Sequence, residues 1–410
     1  MSTKNNKPII YVTRDIERAL GETPGADYHI ITNRTEYSES VHKQYPQFVH
    51  LIGSETGLMS TTDIISSSFA KEIVASVSGD IVVFKSSKLI EETCSKNGWK
   101  LLNPSAELAE KIESKVSQID WLGDLAEKYL PQTDIKKASD IVWKEKPIVI
   151  QWEHGHTGLG TLSVISKVQL DDIQRKFPNR LARVSPFISG PSFTVNIVVG
   201  VDKIILGNMS YQITGLKPFT DGPFSTIGND WSLPHSLLHE HEVAYIEKMI
   251  EEIAEKMRSS GWRGLFGMDL MKDDLRDTIH LIEINARQPA STTFESLLQQ
   301  ENRKHGVTGI TIFEAHLECL KGDTVKEPLI LVNDGAQVIQ RVSKDTDIDA
   351  ISEDMLGSLQ LAGYKTIAYT NTEYNSDLLR IQSNMGIMEA HDKLNKRGKA
   401  IVEIISNRQQ

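Results

Sequence analysis

The segment from Gly261 to Phe294 most constrains the fold, because two apolar runs in it flank a short charged stretch. The runs are Gly264 to Met271 and Thr278 to Ala286, and the charged stretch is Lys272 to Asp277. Apolar runs of strand length around a polar turn predict a β-hairpin. We therefore expect an antiparallel sheet in this part of the chain.

The second strand of this hairpin carries polar side chains on one face only. Glu283, Asn285 and Arg287 alternate with apolar residues, so they share a face, and Asp269 lies on the partner strand. Two carboxylates and an amide oxygen suit a hard divalent cation, which favours Mg²⁺ and makes Mn²⁺ possible. Arg287 adds a planar fork for phosphate or carboxylate. The alternative is that these residues only form the solvated face of an edge strand.

A family resemblance favours the metal site. The string Glu283 to Arg287, with Asp269 before it and Ser291 to Thr293 after it, resembles the metal-binding end of the ATP-grasp superfamily. That superfamily includes carboxylate-amine ligases, biotin carboxylase and the large subunit of carbamoyl phosphate synthetase. The resemblance implies that Asp269, Glu283 and Asn285 hold the metal and that Arg287 is a catalytic residue, which steadies the acyl phosphate or the substrate carboxylate.

The start of the chain predicts a parallel sheet wrapped by helices, because short β-branched runs alternate with polar helical stretches from Pro8 to about Pro104. The predicted elements are strands at Ile9 to Thr13, Tyr28 to Thr32, Phe48 to Ile52 and Asp80 to Phe84, and a helix at Thr61 to Val77. No dinucleotide-binding glycine fingerprint follows the first strand, so NAD is not expected.

The resemblance divides the chain into three domains, and the fold class is α/β together with α+β. Residues 1–104 are expected to form a Rossmann-like domain, 105–325 the ATP-grasp nucleotide- and metal-binding domain, and 326–410 a small C-terminal α+β domain. The further predicted strands are Ser192 to Gly200, Lys203 to Gln212, Leu329 to Val332, Ala336 to Arg341 and Thr366 to Tyr369. The further predicted helices lie within Leu233 to Ser260, Ile310 to Leu320 and Met385 to Ile405.

A glycine-rich stretch follows the apolar strand that begins at Pro147. Glycines at such spacing let backbone N–H groups approach phosphate oxygens. The resemblance identifies the stretch with the loop over the triphosphate, places Lys115 near the nucleotide, and matches Leu181 to Gly190 to the segment that packs on adenine. The implied ATP contacts are Lys115, Gln151, Gly155, His156, Thr157, Gly158, Gly160, Phe187 and Ile188.

Position 151 departs from the superfamily pattern. Most members have a lysine there, whereas Gln151 brings no positive charge. Lys144, Lys146, His154 or His156 are the residues that we expect to compensate. The substitution raises the question of whether the chain still turns ATP over.

Substrate contacts are expected in polar stretches between the glycine loop and the hairpin, and directly after the hairpin. The candidates are Tyr211, Gln212, Asn229, Ser291 and Thr292.

Composition limits the partners. A net charge of −10 without a basic block argues against a nucleic-acid surface or an anionic membrane. Cys94 and Cys319 lie far apart in the sequence and lack the spacing of metal ligands, so we expect both to be reduced thiols. No apolar run is long enough to cross a bilayer. We expect a cytoplasmic protein acting on small molecules, with a homodimer possible.

The resemblance implies an ATP- and Mg²⁺-dependent ligase that converts a small-molecule carboxylate into an acyl phosphate for attack by an amine. Two alternatives remain open. One is a carboxylase that activates bicarbonate, and the other is an ATP-binding sensor that has lost turnover, with Gln151 as its mark.

Overall fold

The computed structural model describes residues 7–53, 57–153, 160–344, 351–369, 371 and 373–406. The first part is a four-stranded parallel sheet in the order β3-β2-β1-β4, with apolar clusters on both faces. Its elements are β1 (Ile9–Val12), a 3₁₀ helix (Ile16–Ala19), β2 (Tyr28–Asn33), α1 (Glu36–Gln44), β3 (Val49–Ile52), α2 (Thr61–Ser66), α3 (Ser68–Val77), β4 (Asp80–Val83) and α4 (Lys88–Asn97). The four predicted strands are confirmed. The predicted helix from Thr61 to Val77 is interrupted at Ser67, which has extended backbone angles and caps α3 by accepting from the Ala70 N–H.

The strand order places the topological switch point between β1 and β4. From β1 the sheet proceeds to β2 and β3 on one side, and β4 pairs with β1 on the other side. The carboxyl ends of β1 and β4 therefore open a crevice between them, which is where open α/β sheets bind ligands. Arg18 follows β1 and Phe84 follows β4 at this crevice.

The next part is a four-stranded antiparallel sheet in the order β5-β8-β6-β7, preceded by three short helices. Its elements are α5 (Ala106–Glu113), α6 (Ser117–Leu122), α7 (Asp124–Tyr129), β5 (Asp134–Lys137), a 3₁₀ helix (Ala138–Asp140), β6 (Ile148–Trp152), β7 (Thr161–Val164), α8 (Lys167–Lys176) and β8 (Leu181–Pro186). Ile150, Val164 and Ala182 form the buried side of this sheet.

The largest sheet has nine strands, and its neighbouring strands are antiparallel. Eight strands follow the order β14-β13-β9-β11-β12-β15-β17-β16, and β10 pairs with β9. The elements of this region are β9 (Ser192–Val199), β10 (Ile204–Leu206), β11 (Ser210–Thr214), β12 (Thr226–Asp230), α9 (Pro234–Leu237), α10 (Glu240–Ser259), β13 (Gly264–Asp273), β14 (Thr278–Asn285), α11 (Thr292–Lys304), α12 (Ile312–Lys321), β15 (Ala336–Arg341), α13 (Glu353–Leu361), β16 (Lys365–Ala368), β17 (Asp377–Ser383), β18 (Met388–Ala390), β19 (Lys393–Leu394) and α14 (Lys396–Ser406).

The C-terminal segment does not have a separate large sheet, because β15, β16 and β17 extend the sheet of the central region. The domain boundaries of the sequence analysis stay a prediction. The predicted strand from Leu329 to Val332 is wrong, since only a single bridge from Leu329 to Ile310 forms there. The predicted helix from Met385 to Ile405 is also wrong in its first half, which contains β18 and β19.

The hairpin prediction is confirmed, because β13 and β14 pair along their length. Asp269 is the direct partner of Glu283, and a bulge follows Asp269. Residues directly opposite in an antiparallel pair point to the same side of the sheet. The apolar side of this sheet packs on α10, whose buried residues are Ile246, Met249, Ile250, Ile253, Ala254 and Met257.

Helix α12 joins the N-terminal sheet to the rest of the molecule. Phe313, Leu317 and Leu320 belong to the same apolar cluster as Ile9 and Tyr11 of β1. Among the described residues, none of the helices combines the length and hydrophobicity that crossing a bilayer requires.

Candidate active site

A cleft of about 390 Å³ lies between the four-stranded and nine-stranded antiparallel sheets. Gln151 and Arg183 line it from the smaller sheet, and Asp269 and Glu283 line it from the larger one. Arg18, which follows β1, reaches the cleft from the N-terminal sheet. The cleft therefore collects side chains from segments that are distant in the sequence.

The hairpin brings two carboxylates and an amide together. Asp269 Oδ1 accepts a hydrogen bond of 2.8 Å from the Thr194 hydroxyl, and Asp269 Oδ2 accepts one of 2.9 Å from Asn285 Nδ2. Glu283 Oε1 lies 2.6 Å from the Lys115 ammonium, whose residue is only 6% exposed. The structure thus brings Lys115 and the three predicted metal ligands into one cluster.

The electrostatics of this cluster favour a bound cation. Burial, and then the charge of Glu283, raise the pKa of Asp269 to about 6. Burial also acts to raise the pKa of Glu283, but Lys115, Arg287 and Arg183 together outweigh it, and the pKa of Glu283 lies below its ordinary value. Burial lowers the pKa of Lys115, although Glu283 opposes this shift. A second cation beside Asp269 would stabilise its ionised form.

The donor set fits magnesium. The described residues contain no group of three or more His, Cys, Asp or Glu side chains that could hold a metal ion, so a site here depends on the amide as well as the two acids. Asn285 Oδ1 accepts a 2.6 Å hydrogen bond from Arg287, and its second lone pair remains for a metal ion. Two carboxylates and one amide leave coordination positions for water and phosphate, as Mg²⁺ requires.

Arg287 stands at the edge of this cluster. Its guanidinium also lies 3.4 Å from Glu113 Oε1 and faces the ring of Phe84 at 5.8 Å from the ring centre. These contacts hold the planar fork toward the cleft, where it is one of the lining residues. The position suits a group that binds an anionic substrate oxygen.

Arg183 supplies the positive charge that position 151 lacks. It pairs directly with Gln151 on the neighbouring strand, and its Nε and NH2 donate to Gln151 Oε1 at 2.8 and 2.5 Å. Its NH2 also donates to the Ile282 carbonyl at 2.6 Å. Burial lowers the pKa of Arg183 to about 10, with Glu283 acting in the opposite direction, so the group is charged at neutral pH.

The residues expected to compensate for Gln151 are placed differently. The described residues that line the cleft do not include Lys144 or Lys146, so the structure does not support compensation by either lysine. His154 and His156 lie outside the described residues. Sequence reasoning missed Arg183, because only the register of β6 and β8 puts it opposite Gln151.

The other predicted nucleotide contacts divide into two groups. Gly160, Phe187 and Ile188 line the cleft. Gly155, His156, Thr157 and Gly158 lie outside the described residues.

The five predicted substrate residues are not all in the cleft. Gln212, Asn229 and Ser291 line it. Tyr211 is fully buried on the opposite face of β11, where its hydroxyl contacts His391 at 2.9 Å, and Thr292 is fully buried with its hydroxyl on Asn196. This geometry does not support direct substrate contact by Tyr211 or Thr292.

Beyond the hairpin, the cleft ends in a group of arginines that the sequence analysis did not single out. We call it the arginine end, and it consists of Arg18, Thr226, Gln337, Arg341, Asp377 and Arg380. Asp377 accepts from Arg341 at 3.0 Å and from Arg380 at 3.4 Å. The group combines the first and last parts of the chain, so no local motif could have indicated it.

Comparisons with known proteins agree with this geometry. The family model of the ATP-grasp domain matches residues 112–291. No curated protein sequence matches the chain. Among solved structures, the carboxyaminoimidazole ribonucleotide synthase of Aspergillus clavatus, determined with ATP, is 12% identical with a TM-score of 0.65, and the alignment covers 98% of this chain and 99% of that one.

Two further structures are similar over nearly their whole length. The N5-carboxyaminoimidazole synthetase of Staphylococcus aureus is 10% identical with a TM-score of 0.63, covering 97% of this chain and 96% of that chain. The biotin carboxylase of Campylobacter jejuni is 14% identical with a TM-score of 0.62, covering 97% and 95%.

The fold and the family match define the class: this is a protein with the ATP-grasp fold. Residues 112–291 match the ATP-grasp domain, the superfamily that the residues of the hairpin resemble.

Proposed function

We propose that the chain is an ATP- and Mg²⁺-dependent ligase that forms ADP and joins a small-molecule carboxylate to an amine. The observation that supports it best is the direct pairing of Asp269 with Glu283 in a cleft that also contains Arg287. Decay of the site to a sensor would be expected to remove some of these groups.

Lys115 and Arg183 supply the buried positive charge for ATP. Both are less than 7% exposed and line the cleft beside Glu283. Positive groups fixed in a poorly solvated site stabilise phosphate charge more strongly than the same groups in water. Phe187 and Ile188 provide the apolar surface for the adenine, and Gly160 lines the same cleft.

In the first step, a substrate carboxylate oxygen forms a bond to the γ-phosphorus while the bond from that phosphorus to the ADP oxygen breaks. ADP leaves with the electron pair, and an acyl phosphate remains. The carboxylate is already ionised at neutral pH, so this step requires no general base. Arg287 orients the attacking carboxylate through its planar fork.

In the second step, the amine nitrogen attacks the acyl carbon and the bond between that carbon and the phosphate oxygen breaks. Inorganic phosphate leaves, and the nitrogen loses a proton to solvent. The cleft shields the acyl phosphate from water, which would otherwise hydrolyse it.

Asp269, Glu283 and Asn285 are the residues proposed to hold magnesium. When bound, Mg²⁺ supplies charge that offsets the phosphate oxygens during transfer. Lys115 contacts Glu283 and favours its ionised form, which is the form that would hold the metal.

Bicarbonate is a second candidate for the activated acid. The biotin carboxylase domain of the 2-oxoglutarate carboxylase of Hydrogenobacter thermophilus, solved with MgADP and bicarbonate, has a TM-score of 0.60 to this chain at 11% identity. Dependence of ADP release on bicarbonate, with a nitrogen acceptor, separates carboxylation from amide formation.

The test is an ADP-release assay with Mg²⁺-ATP against pools of amino acids, dicarboxylates and bicarbonate, each with and without amines. We expect release with at least one acid, and a loss of about 100-fold or more in Asp269→Asn, because weakening one proposed magnesium ligand would misplace the positive charge that offsets the phosphate oxygens. Glu107→Gln, a change on an exposed residue of α5, is the matched control. Normal turnover by Asp269→Asn contradicts the metal assignment, and ATP binding without release in every pool supports a sensor.

A further inference from the structure

Arg18 and Arg287 contact the same aromatic ring. The guanidinium carbon of Arg18 lies 4.6 Å from the centre of the Phe84 ring, and that of Arg287 lies 5.8 Å from it. The distance between the two guanidinium carbons is therefore at most about 10 Å. Because Arg18 follows β1 and Phe84 follows β4, this pair of cations stands at the switch point of the N-terminal sheet.

Buried contacts fix the backbone of Arg18 to the segment that carries Arg287. The Arg18 carbonyl accepts a 2.8 Å hydrogen bond from Gln288 Nε2 and a 3.3 Å bond from the Thr293 hydroxyl. Gln288 is itself fixed by the Tyr11 hydroxyl, which donates to its Oε1 at 2.6 Å. The spacing between the two arginines is thus set by packing and does not depend on an exposed loop.

The guanidinium of Arg18 lacks a partner in the described part of the chain. Its NH1 is buried and has no hydrogen-bond acceptor among the described residues, and no described carboxylate forms an ion pair with Arg18. A buried donor without an acceptor is costly, and native proteins rarely retain one without a purpose. An acceptor supplied by a bound molecule removes that cost.

The neighbouring Arg341 and Arg380 already have hydrogen-bond acceptors. Asp377 accepts from Arg341 and Arg380, and the Tyr369 hydroxyl accepts from Arg380 while donating to Glu17. Arg18 lines the same cleft without a direct ion pair to a described carboxylate, and its charge acts on Asp15, where it opposes the burial and the Glu17 charge that raise the pKa of that carboxyl. An anionic group fits beside Arg18, whereas a cationic one does not.

We propose that Arg18 binds a second anionic group of the acid substrate, so that the substrate is a dianion. This inference rests on the proposed function, in which Arg287 orients the carboxylate that is phosphorylated. The second group is a carboxylate or a phosphate, since both accept hydrogen bonds from a guanidinium. Because the guanidinium carbons of Arg18 and Arg287 are at most about 10 Å apart, the two anionic groups of the substrate must be joined by a short chain.

The test measures binding by calorimetry with a non-hydrolysable ATP analogue and Mg²⁺ present. The probes are the dicarboxylates from oxalate to adipate and their monoamides, and 3-phosphoglycerate with glycerate, which lacks the phosphate, as its monoanionic match. We expect one dianion to bind about 10- to 100-fold more tightly than its monoanionic match, the difference expected for one charge-assisted contact. Tighter binding of a dicarboxylate identifies the second group as a carboxylate, and tighter binding of 3-phosphoglycerate identifies it as a phosphate.

Arg18→Met keeps the aliphatic contact with Phe84 and removes the charge. We expect it to abolish the preference for the dianion, and we expect Arg14→Met, at an arginine whose side chain is 49% exposed, to retain it. Equal affinity for dianion and monoanion in the wild type, or an unchanged preference in Arg18→Met, overturns the inference.

The two proposals fail in different ways. Dianion binding that depends on Arg18, without ADP release for any acid, keeps this inference and rejects the ligase. ADP release with a monoanionic acid, unaffected by Arg18→Met, keeps the ligase and rejects this inference. A melting scan of each variant identifies any that is misfolded.

Discussion

Arg183 carries its charge one strand away from the position that most ATP-grasp proteins give to a lysine. Its guanidinium reaches back across the β6–β8 pair to Gln151 and remains beside Glu283. The glutamine therefore acts as an acceptor that orients the arginine. The charge has moved within the site and has not been lost.

We predict that Arg183→Met weakens ADP binding about 10- to 100-fold, because one buried charged contact is lost. Adding Gln151→Lys to that variant should recover most of the affinity, since it returns a cation to the usual strand position. Gln151→Lys alone should weaken binding, because two buried cations would then adjoin each other. Calorimetric titration with MgADP measures all three.

The order of these affinities is the decisive result. If Gln151→Lys alone binds ADP more tightly than the wild type, Arg183 does not substitute for the lysine. Arg180→Met, on an exposed arginine next to β8, is the control for changes of net charge.

At the scale of elements, Glu295 joins helix α11 to strand β9. It is fully buried, and it accepts hydrogen bonds from the Asn208 backbone, Asn208 Nδ2 and Asn196 Nδ2. Burial raises its pKa from 4.5 to about 7, although these hydrogen bonds oppose the shift. The native protein therefore holds the Glu295 proton more tightly than the unfolded chain does.

This shift predicts a pH dependence of stability. The contribution of Glu295 to the free energy of unfolding falls as the pH rises from about 4.5 to about 7, and levels off above that. Glu295→Gln removes this titration. As the pH rises from 5 to 8, the free energy of unfolding of the variant should therefore increase by up to about 3 kcal/mol relative to that of the wild type. Denaturant unfolding at several pH values measures it, and parallel curves for the two proteins would contradict the prediction.

Elements with a strong local pattern were predictable from the sequence. The parallel strands, the β13–β14 hairpin and α10 follow from periodicity, which tertiary contacts reinforce. The run from Lys203 to Gln212 was predicted as one strand and is two, because Gly207 approaches the Asn196 carbonyl and Asn208 turns inward to Glu295. That break is specified by partners far away in the sequence.

The C-terminal part shows the same limit. Asn395 begins α14 by accepting from the N–H groups of Arg397 and Gly398, and its amide donates to the Gly386 carbonyl. These contacts stop the apolar pattern from continuing as one helix back to Met385. Among the site residues, the acidic hairpin was readable from spacing, whereas Arg18 and Arg183 required strand order and register.

At the scale of the whole molecule, the nine-stranded sheet joins the C-terminal strands to the central strands of the chain. Strand β12 pairs with β15, and Val338, Leu379 and Ile381 lie in the same apolar cluster as Phe266. We predict that a chain ending at Asp334 does not fold, because it exposes this cluster and a sheet edge. Circular dichroism and proteolysis check this, and a cooperative melt of the shortened chain would show a separable C-terminal domain.

The docking of the N-terminal sheet depends on Phe313. Its ring is fully buried, 6.0 Å from Tyr11 and 6.3 Å from Tyr28, and Gly21 packs directly against it. We predict that Phe313→Ala destabilises the protein by about 3–5 kcal/mol, the usual cost of removing a buried phenylalanine. Denaturant unfolding measures the loss, and Leu361→Ala, at a side chain that is 92% exposed, is the control.

The arginine end lies almost entirely outside the stretch from 112 to 291 that the domain model matches. Apart from Thr226, its members come from the first 3₁₀ helix and from β15 and β17, and these two ends of the chain meet where the Tyr369 hydroxyl donates to Glu17. In the proposed function, phosphate chemistry and acid selection are thus encoded in separate parts of the gene. Evolution can exchange the acid by altering the two ends of the coding sequence, while the middle continues to handle the same nucleotide.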